Sequence, residues 1–221
     1  MFKSIGATVL ILVAGLAVIA PMVRAKEAVQ ADLRQRKIVF DSEGDGQWDI
    51  YVMNPDGSKV RRLTPTVAKG KSAQFPDWSP DGNQIAFASN REVNWEIYVM
   101  NADGSDAQRL TYTTGEGKAN AGPAWSPDGK QIAFDSTRDG NWEIYVMDAD
   151  GANPRRLTQH EKVDARPAWS RDGKRIAFHS TRDGKLKDDT KDDFEIYVMN
   201  ADGLNVRRLT SNKTFDGHSD W

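Results

Sequence analysis

The chain has 221 residues, enough for one or two domains with a sizeable core, and it contains no cysteine. Disulfides, thiolate-bound zinc and a thiol nucleophile are therefore excluded. The 30 basic and 32 acidic side chains leave a net charge of −2, which argues against a nucleic-acid-binding protein because such proteins carry a basic stripe.

The first 25 residues differ in kind from the rest of the chain. An apolar run over residues 5–20 ends at Pro21, and Val23 and Ala25 stand at positions −3 and −1 of a cleavage site. This layout predicts a secretory signal peptide over residues 1–25. An uncleaved membrane anchor is the alternative, because the apolar run approaches spanning length. We expect a periplasmic or secreted protein with no membrane span after cleavage.

Residues 26–37 are predicted to be an N-terminal linker, and after them the sequence repeats itself. A phrase of the type EIYVMNADG occurs four times. The segment IVF or IAF precedes each copy, RLT follows each copy, and W-S-P-D-G or a variant opens three of the units. The phrase has its Ile at Ile50, Ile97, Ile144 and Ile196, which gives spacings of 47, 47 and 52 residues. Such a period is typical of a repeat architecture.

Each unit reads as four short segments rich in Ile, Val, Tyr, Phe and Trp, separated by Gly, Asp, Asn and Pro. This pattern predicts strands and tight turns. We label the strands A (ending at Trp), B (IAF), C (IYVM) and D (RLT). One four-stranded sheet cannot bury both of its faces alone, so the sequence predicts an all-β fold, a β-propeller of four-stranded antiparallel blades. The predicted repeats span residues 38–64, 76–111, 123–158 and 167–210.

The last residues suggest how this propeller closes. The repeats begin with strand B at Ile38 and stop after a strand A that ends at Trp221, so the strands number 3 + 12 + 1 = 16, or four blades. The C-terminal strand, residues 215–221, is predicted to close the first blade within one chain, as a monomer. Two alternatives remain: a closed dimer with eight blades, and a fragment of a larger propeller.

The repeat resembles a known family. The stretch PAWSPDGKQIAFDSTRDGNWEIYVMDADGANPRRLT (Pro123 to Thr158) is similar to the WD-repeat-like propeller blade of the periplasmic TolB family, and the similarity covers Ile38 to Trp221. This resemblance implies a propeller that binds proteins of the cell envelope. The chain departs from the family pattern, because TolB proteins carry an α/β domain before a six-bladed propeller. Related blades also occur in peptidase-associated propellers and polysaccharide lyases.

Loop length varies on one face of the predicted propeller. The C-to-D distance is constant, as from Ile50 to Leu63, whereas the B–C and D–A loops differ in length and the longest spans residues 180–196. Variable loops on a rigid scaffold usually carry binding specificity. Alternatively, the recurring aromatics pack between blades and the arginines pair with aspartates. The candidate binding face for a peptide or a sugar consists of Trp48, Trp95, Trp142, Phe194, Arg91, Arg138 and Arg182.

The loop DSEGDGQWD in the first repeat is a candidate calcium site. Its side-chain oxygens belong to Asp41, Glu43, Asp45 and Asp49, and alternating acids around a glycine turn can surround one Ca²⁺ ion. An ordinary Asp-Gly turn is the alternative. No cofactor is predicted to be required, and Ca²⁺ is the single candidate.

Motifs for catalysis are missing from the sequence. It has no G-x-S-x-G, His160 lacks the second His of a zinc helix, and KGKS near Lys71 lacks the first Gly of a P-loop. Asp41, Asp135 and His179 share one repeat position, where a hydrogen-bonded polar residue at a strand end is expected. The sequence therefore predicts an exported, non-catalytic scaffold that binds an envelope protein or peptide. The alternative is a carbohydrate-binding or polysaccharide-lyase-like propeller.

Overall fold

A computed structural model describes residues 37–44, 46–65, 68–183, 194–211 and 216. Every regular element in these residues is a β-strand, which confirms the predicted all-β class. The strands, in chain order, are β1 (Ile38–Gly44), β2 (Gln47–Met53), β3 (Arg61–Arg62), β4 (Ala73–Trp78), β5 (Gln84–Ser89), β6 (Glu96–Asn101), β7 (Gln108–Arg109), β8 (Asn120–Trp125), β9 (Gln131–Ser136), β10 (Glu143–Asp148), β11 (Arg155–Arg156), β12 (Asp164–Trp169), β13 (Arg175–Ser180), β14 (Glu195–Asn200) and β15 (Arg207–Arg208).

Several predicted segments lie outside the described residues. They are the signal peptide, the linker except Lys37, the loop residues 184–193, and the closing strand 215–221 except Asp216. These segments stay predictions.

The chain divides into two compact units. The smaller unit consists of Met1–Ile38 and Met53–Lys59, and it includes a tight turn closed by a 2.9 Å hydrogen bond from the Gly57 N–H to the carbonyl oxygen three residues earlier. The larger unit consists of Val39–Val52 and Val60–Trp221, and it contains almost all of the strand residues.

The strands form four antiparallel sheets, each a meander in chain order. Three sheets have four strands, β4–β7, β8–β11 and β12–β15, and the described part of the first sheet has three, β1–β3. In chain order, blade 1 is β1–β3, blade 2 is β4–β7, blade 3 is β8–β11 and blade 4 is β12–β15. Blades 2 to 4 have the predicted strand order A, B, C, D, and the described part of blade 1 has strands B, C and D. The strands D are two residues long. The predicted propeller blade is thereby confirmed, whereas the fourth strand of blade 1 falls outside the described residues.

Neighbouring blades pack through side chains from alternate strand positions. In β6, Ile97 and Val99 face blade 3, whereas Tyr98 and Met100 lie in the cluster shared with blade 1. Because side chains alternate along a strand, a sheet with neighbours on both sides must be apolar at every position. This explains why the IYVM segment is continuously apolar and why each blade repeats it. We call the contact between two neighbouring blades a seam.

A buried acid precedes each IYVM segment and binds strand D of its own blade. Glu96 is fully buried and accepts hydrogen bonds from Arg109 at 2.7 Å, from the Thr113 N–H at 2.7 Å and from the Thr111 hydroxyl. The arginine and the threonine flank the Leu of the RLT segment, so this ion pair fixes strand D. The equivalent ion pairs are Asp49–Arg62, Glu143–Arg156 and Glu195–Arg208.

The next blade also forms a hydrogen bond with the buried acid that precedes the IYVM segment. Asn120, at the start of β8, donates its Nδ2 to Glu96 Oε2 at 2.7 Å, and its Oδ1 accepts from Arg138 at 3.0 Å. Asp164 has the same position in β12. Its Oδ2 binds Arg182 at 2.6 Å, but its Oδ1 is buried without a hydrogen-bond partner among the described residues. The seam between blades 3 and 4 therefore lacks the donor that Asn120 supplies to the previous seam.

Asp164→Asn is expected to raise the free energy of unfolding by about 1–3 kcal/mol, the cost of one unsatisfied buried polar group. Asparagine keeps an oxygen for Arg182 and gains an amide donor at the position from which Asn120 reaches Glu96 in the previous seam. Urea titration measures the change. Asn120→Asp makes the reverse exchange and should destabilise by a similar amount. A less stable Asp164→Asn variant would contradict the comparison between the two seams.

The turn after each IYVM segment of blades 2 to 4, N-x-D-G or D-x-D-G, contacts the preceding blade through its glycine. Gly104 has φ +88°, and a Cβ there would lie 2.8 Å from the Leu63 carbonyl oxygen. Both the positive φ and the close approach require glycine. The equivalent contacts, at 2.8 and 2.7 Å, are Gly151–Leu110 and Gly203–Leu157.

Candidate functional site

The predicted arginines of the binding face lie on aromatic pairs within their own blades. The Arg138 guanidinium lies 4.7 Å from the Tyr145 ring centroid and 5.3 Å from that of Phe134, and its Nε donates to Ser136 Oγ at 3.1 Å. These contacts fix the B–C loop on the blade. The equivalent arginines, with the same kinds of contact, are Arg91 and Arg182. A role of these arginines in binding stays a prediction.

The predicted aromatics lie where one blade meets the next. The Trp95 carbonyl oxygen accepts the Asn120 N–H at 2.9 Å, and the Trp48 N–H donates to Ser72 Oγ at 3.2 Å. All four aromatic side chains are partly buried, so each keeps an accessible portion. The Asp164 N–H donates to the Trp142 carbonyl oxygen at 3.0 Å across the next seam, and the Asp216 N–H donates to the Phe194 carbonyl oxygen of blade 4 at 3.0 Å.

Two of the predicted calcium ligands have protein partners. Asp49 is buried and forms an ion pair with the strand D arginine at 2.5 Å, and Asp41 Oδ2 accepts the Phe75 N–H at 2.9 Å. Glu43 is exposed, and Asp45 lies outside the described residues. Within the described ranges, no three Asp, Glu or His side chains are grouped so as to hold a metal ion. The calcium site stays a prediction.

A different cluster lies on the strands A of blades 2 to 4. Each of these strands has a bulge, where Phe75, Gly122 and Arg166 adopt φ of +59°, +53° and +57°. Strands A contact one another from blade to blade, whereas the described strands D contact their own sheets, so the bulges lie on the inner side. Positive φ is strained for Phe and Arg, and such strain concentrates at ligand-binding and active sites.

Two aspartates from strands B hold these bulges. Asp41 accepts the Phe75 N–H, and Asp135 Oδ1 accepts the Arg166 N–H at 3.2 Å. The Arg166 guanidinium lies 3.7 Å from the Phe75 ring centroid, so side chains from blades 2 and 4 meet. Gly122 lies between them, and a Cβ there would overlap Asp135 Oδ1. We call these five residues the inner-strand cluster.

Asp135 is the perturbed titratable group of this cluster. Burial raises the pKa of Asp135 to about 6, and the positive charge and N–H of Arg166 oppose this shift. Phe75 and Arg166 are partly buried and therefore partly accessible. A perturbed carboxyl beside strained backbone marks a candidate functional site. The cluster offers a stacked Arg–Phe surface to a ligand.

Sequence reasoning found only part of this cluster. It placed Asp41 and Asp135 at one repeat position but did not single out the bulge residues. One feature of the sequence could have indicated them. The residue before the strand A proline differs from repeat to repeat, as Phe75, Gly122 and Arg166, whereas the residues around it recur. The meeting of distant blades at these positions required the structure.

A comparison with family models gives a match to the TolB beta propeller domain, over residues 33–121 and 115–188. The chain belongs to the TolB β-propeller family. This agrees with the resemblance found in the sequence. No match was found among curated proteins.

Solved TolB structures superpose on this TolB-type propeller. A TolB of Agrobacterium tumefaciens has a TM-score of 0.67 and 31% identity, with 78% of this chain and 60% of that chain covered. TolB of Acinetobacter baumannii has a TM-score of 0.66 and 24% identity, with 83% and 43% covered. The chain thus spans less than two thirds of these relatives.

More distant structures share the fold alone. A puromycin hydrolase has a TM-score of 0.59 and 15% identity, with 83% of this chain and 28% of that chain covered.

In the described part of this TolB-type chain, no helix has the length and hydropathy of a transmembrane span.

Proposed function

We propose that the chain is an exported, non-catalytic TolB-type propeller that binds a protein of the cell envelope, in the periplasm or outside the cell. The partner docks on the face that carries the B–C and D–A loops. The observation that carries this proposal is the Arg166–Phe75 stack on the inner strands. Arginine and large aromatic residues dominate the binding energy of protein interfaces, especially near their centre.

The position of the stack along its strands supports the choice of face. Phe75 is the third residue of β4, in the half of the strand that follows the D–A loop, and Asp135 is the second-to-last residue of β9, just before the B–C loop. Both residues therefore lie toward the face with variable loops. The partly exposed Trp95 and Trp142 lie toward the same face, and they extend the surface available to a partner.

The experiment starts with crosslinking and capture from an envelope-protein extract, followed by identification and purification of the captured partner. Arg166→Ala is then expected to raise the Kd for that partner by about 30-fold, the effect of losing a 2 kcal/mol hot spot. Lys130→Ala, an exposed change in the A–B turn on the opposite face, should leave the Kd unchanged.

Three results would count against this assignment. A Kd unaffected by Arg166→Ala but raised by Lys130→Ala would place the partner on the opposite face. Binding to a glycan array with no specific protein captured would favour the carbohydrate-binding alternative. Turnover of a peptide or polysaccharide would show that the chain is an enzyme. The melting temperature of each variant is measured in parallel, so that a loss of folding is recognised.

A further inference from the structure

The strand D arginine that bridges two of the seams is replaced by glutamine in blade 2. Arg61 of blade 1 donates to the Asp103 carbonyl oxygen of blade 2 at 2.8 Å, and Arg155 of blade 3 donates to the Ala201 carbonyl oxygen of blade 4 at 3.1 Å. Gln108 has the same place in strand D, one residue before the arginine that binds the buried acid. The seam between blades 2 and 3 therefore has no guanidinium at this position.

A cleft lies at this position of the seam between blades 2 and 3. Its volume is about 440 Å³, within the range of about 300–1,000 Å³ that is usual for ligand pockets. Gln108 lies in its wall on the side of blade 2, and Ala149 and Asp150 lie in its wall on the side of blade 3. The last two residues correspond to the arginine acceptors of blade 4, Ala201 and Asp202. The cleft is thus placed where the other two seams hold an arginine.

The charge and polarity of this cleft also match an arginine side chain. Asp106 and Asp150 are exposed in its wall, whereas the blade 3 residue equivalent to Asp106 is the neutral Asn153. Among the described residues, neither aspartate forms an ion pair with a basic side chain. Val99 and Leu110 give the cleft an apolar part. The alkyl stem of an arginine packs on apolar surface, and its guanidinium binds carboxylates and carbonyl oxygens.

A lysine beside this turn is compatible with arginine binding. The Ala149 N–H donates to the Lys130 carbonyl oxygen at 2.9 Å. The Ala201 N–H donates to the Lys174 carbonyl oxygen at the same distance, and Arg155 binds that turn of blade 4 in the presence of this lysine. The turn of blade 3 can therefore accept a guanidinium in the same way.

We propose that this cleft binds an arginine side chain of another protein. The guanidinium takes the position that Arg155 holds in the next seam, with the carbonyl oxygens of Ala149 and Asp150 as acceptors and the Asp106 carboxylate as the opposite charge. Arginine is favoured over lysine because its planar guanidinium binds two acceptors at once, as Arg155 binds two carbonyl oxygens at 3.1 and 3.4 Å.

The cleft lies away from the face proposed for the envelope protein. Gln84, in its wall, is the first residue of β5 and follows the A–B turn, and Asn101 is the last residue of β6 and precedes the C–D turn. Both turns belong to the opposite face, so an arginine can bind here while the inner-strand cluster is occupied. The arginine site therefore stands or falls independently of the proposed function.

Titration with a short peptide, acetyl-Gly-Arg-Gly-amide, tests the arginine site. Backbone amide signals of the isotope-labelled chain are followed by NMR, and we expect those of residues 149–151 to shift. The same peptide with citrulline in place of arginine keeps the shape of the side chain and loses its charge. The Kd for the arginine peptide should be lower than that for the citrulline peptide by about tenfold, because hydrogen bonds from a charged donor are stronger.

Gln108→Arg and Gln108→Ala form a matched pair of variants. Gln108→Arg fills the cleft with the chain's own arginine, as Arg155 fills the next seam, and should raise the Kd for the arginine peptide by about tenfold or more. Gln108→Ala leaves the cleft open and should bind the peptide as the wild type does. Asp106→Asn, which introduces the asparagine of blade 3, should raise the Kd by about fivefold, the effect of losing one exposed ion pair.

Three results would overturn the arginine site. Equal affinity for the arginine and citrulline peptides would show that no guanidinium is recognised. Unchanged peptide binding by Gln108→Arg, at the wild-type melting temperature, would place the peptide elsewhere on the chain. A doubled mass in sedimentation velocity that is lost in Gln108→Arg would show that the arginine comes from a second copy of the chain. If Gln108→Arg melts early, the citrulline comparison and Asp106→Asn still decide the outcome.

Discussion

Glu96→Ala is expected to lower the free energy of unfolding by about 3–5 kcal/mol, the range observed when one partner of a buried ion pair is removed. Glu96 is fully buried, and its carboxylate accepts hydrogen bonds from Arg109, Thr111 and Asn120. The substitution therefore leaves an arginine without its buried partner and removes the Glu96–Asn120 hydrogen bond between blades 2 and 3. The midpoint of urea unfolding, followed by tryptophan fluorescence, measures the loss.

Glu92→Ala is the matched control for this substitution. Glu92 pairs with the same arginine, but its side chain is 53% exposed. Exposed ion pairs contribute at most about 1 kcal/mol, so the control should unfold at nearly the wild-type midpoint. Similar losses in both variants would show that burial of the acid is not what stabilises the seam.

Asp135→Asn is expected to become more stabilising as the pH rises from about 4 to about 7. Burial raises the pKa of Asp135 from 3.8 to about 6, so the folded protein holds a proton there that the unfolded chain has lost. The stability contributed by Asp135 is fully present below about pH 3.8 and is lost as the pH rises through about 6. A shift of about two units corresponds to roughly 3 kcal/mol.

The measured quantity is the difference in the free energy of unfolding between the variant and the wild type, at about pH 4.5 and about pH 7. Because the difference is taken at each pH, titrations shared by both proteins cancel. Asparagine resembles the protonated acid and keeps an oxygen for the Arg166 N–H. Glu161→Gln, at an exposed position, serves as the control. A pH-independent difference for Asp135→Asn would contradict the raised pKa.

The blade could be predicted from the sequence because the residues that determine its strands and turns lie close together within one repeat. Short apolar runs of β-forming residues such as IAF and IYVM, and turns with glycine at positive φ such as Gly129 at +70°, fix strands and connections within one repeat. Strand D was harder to read. It is only two residues long because the next residues of the segment turn to other partners: the Leu110 carbonyl lies on Gly151, and Thr111 binds Glu96.

The inner-strand cluster could not be predicted in the same way. A residue that recurs in every repeat makes a recurring contact, as Arg138 does on its Phe–Tyr pair. Phe75 and Arg166 do not recur, and they meet only because strands A from three blades lie side by side. Comparing the repeats identifies residues that recur in every blade, whereas this cluster is formed by residues that differ between blades.

The two-residue strands D also affect whether strands of other molecules can add to the outer edges of these sheets. A long unpaired edge strand is a template on which strands of other molecules add. Here the outer edges offer very few free N–H and C=O groups, and β3, β11 and β15 carry two arginines each. Such short edges give an incoming strand little to pair with. Strand addition at the rim is therefore disfavoured.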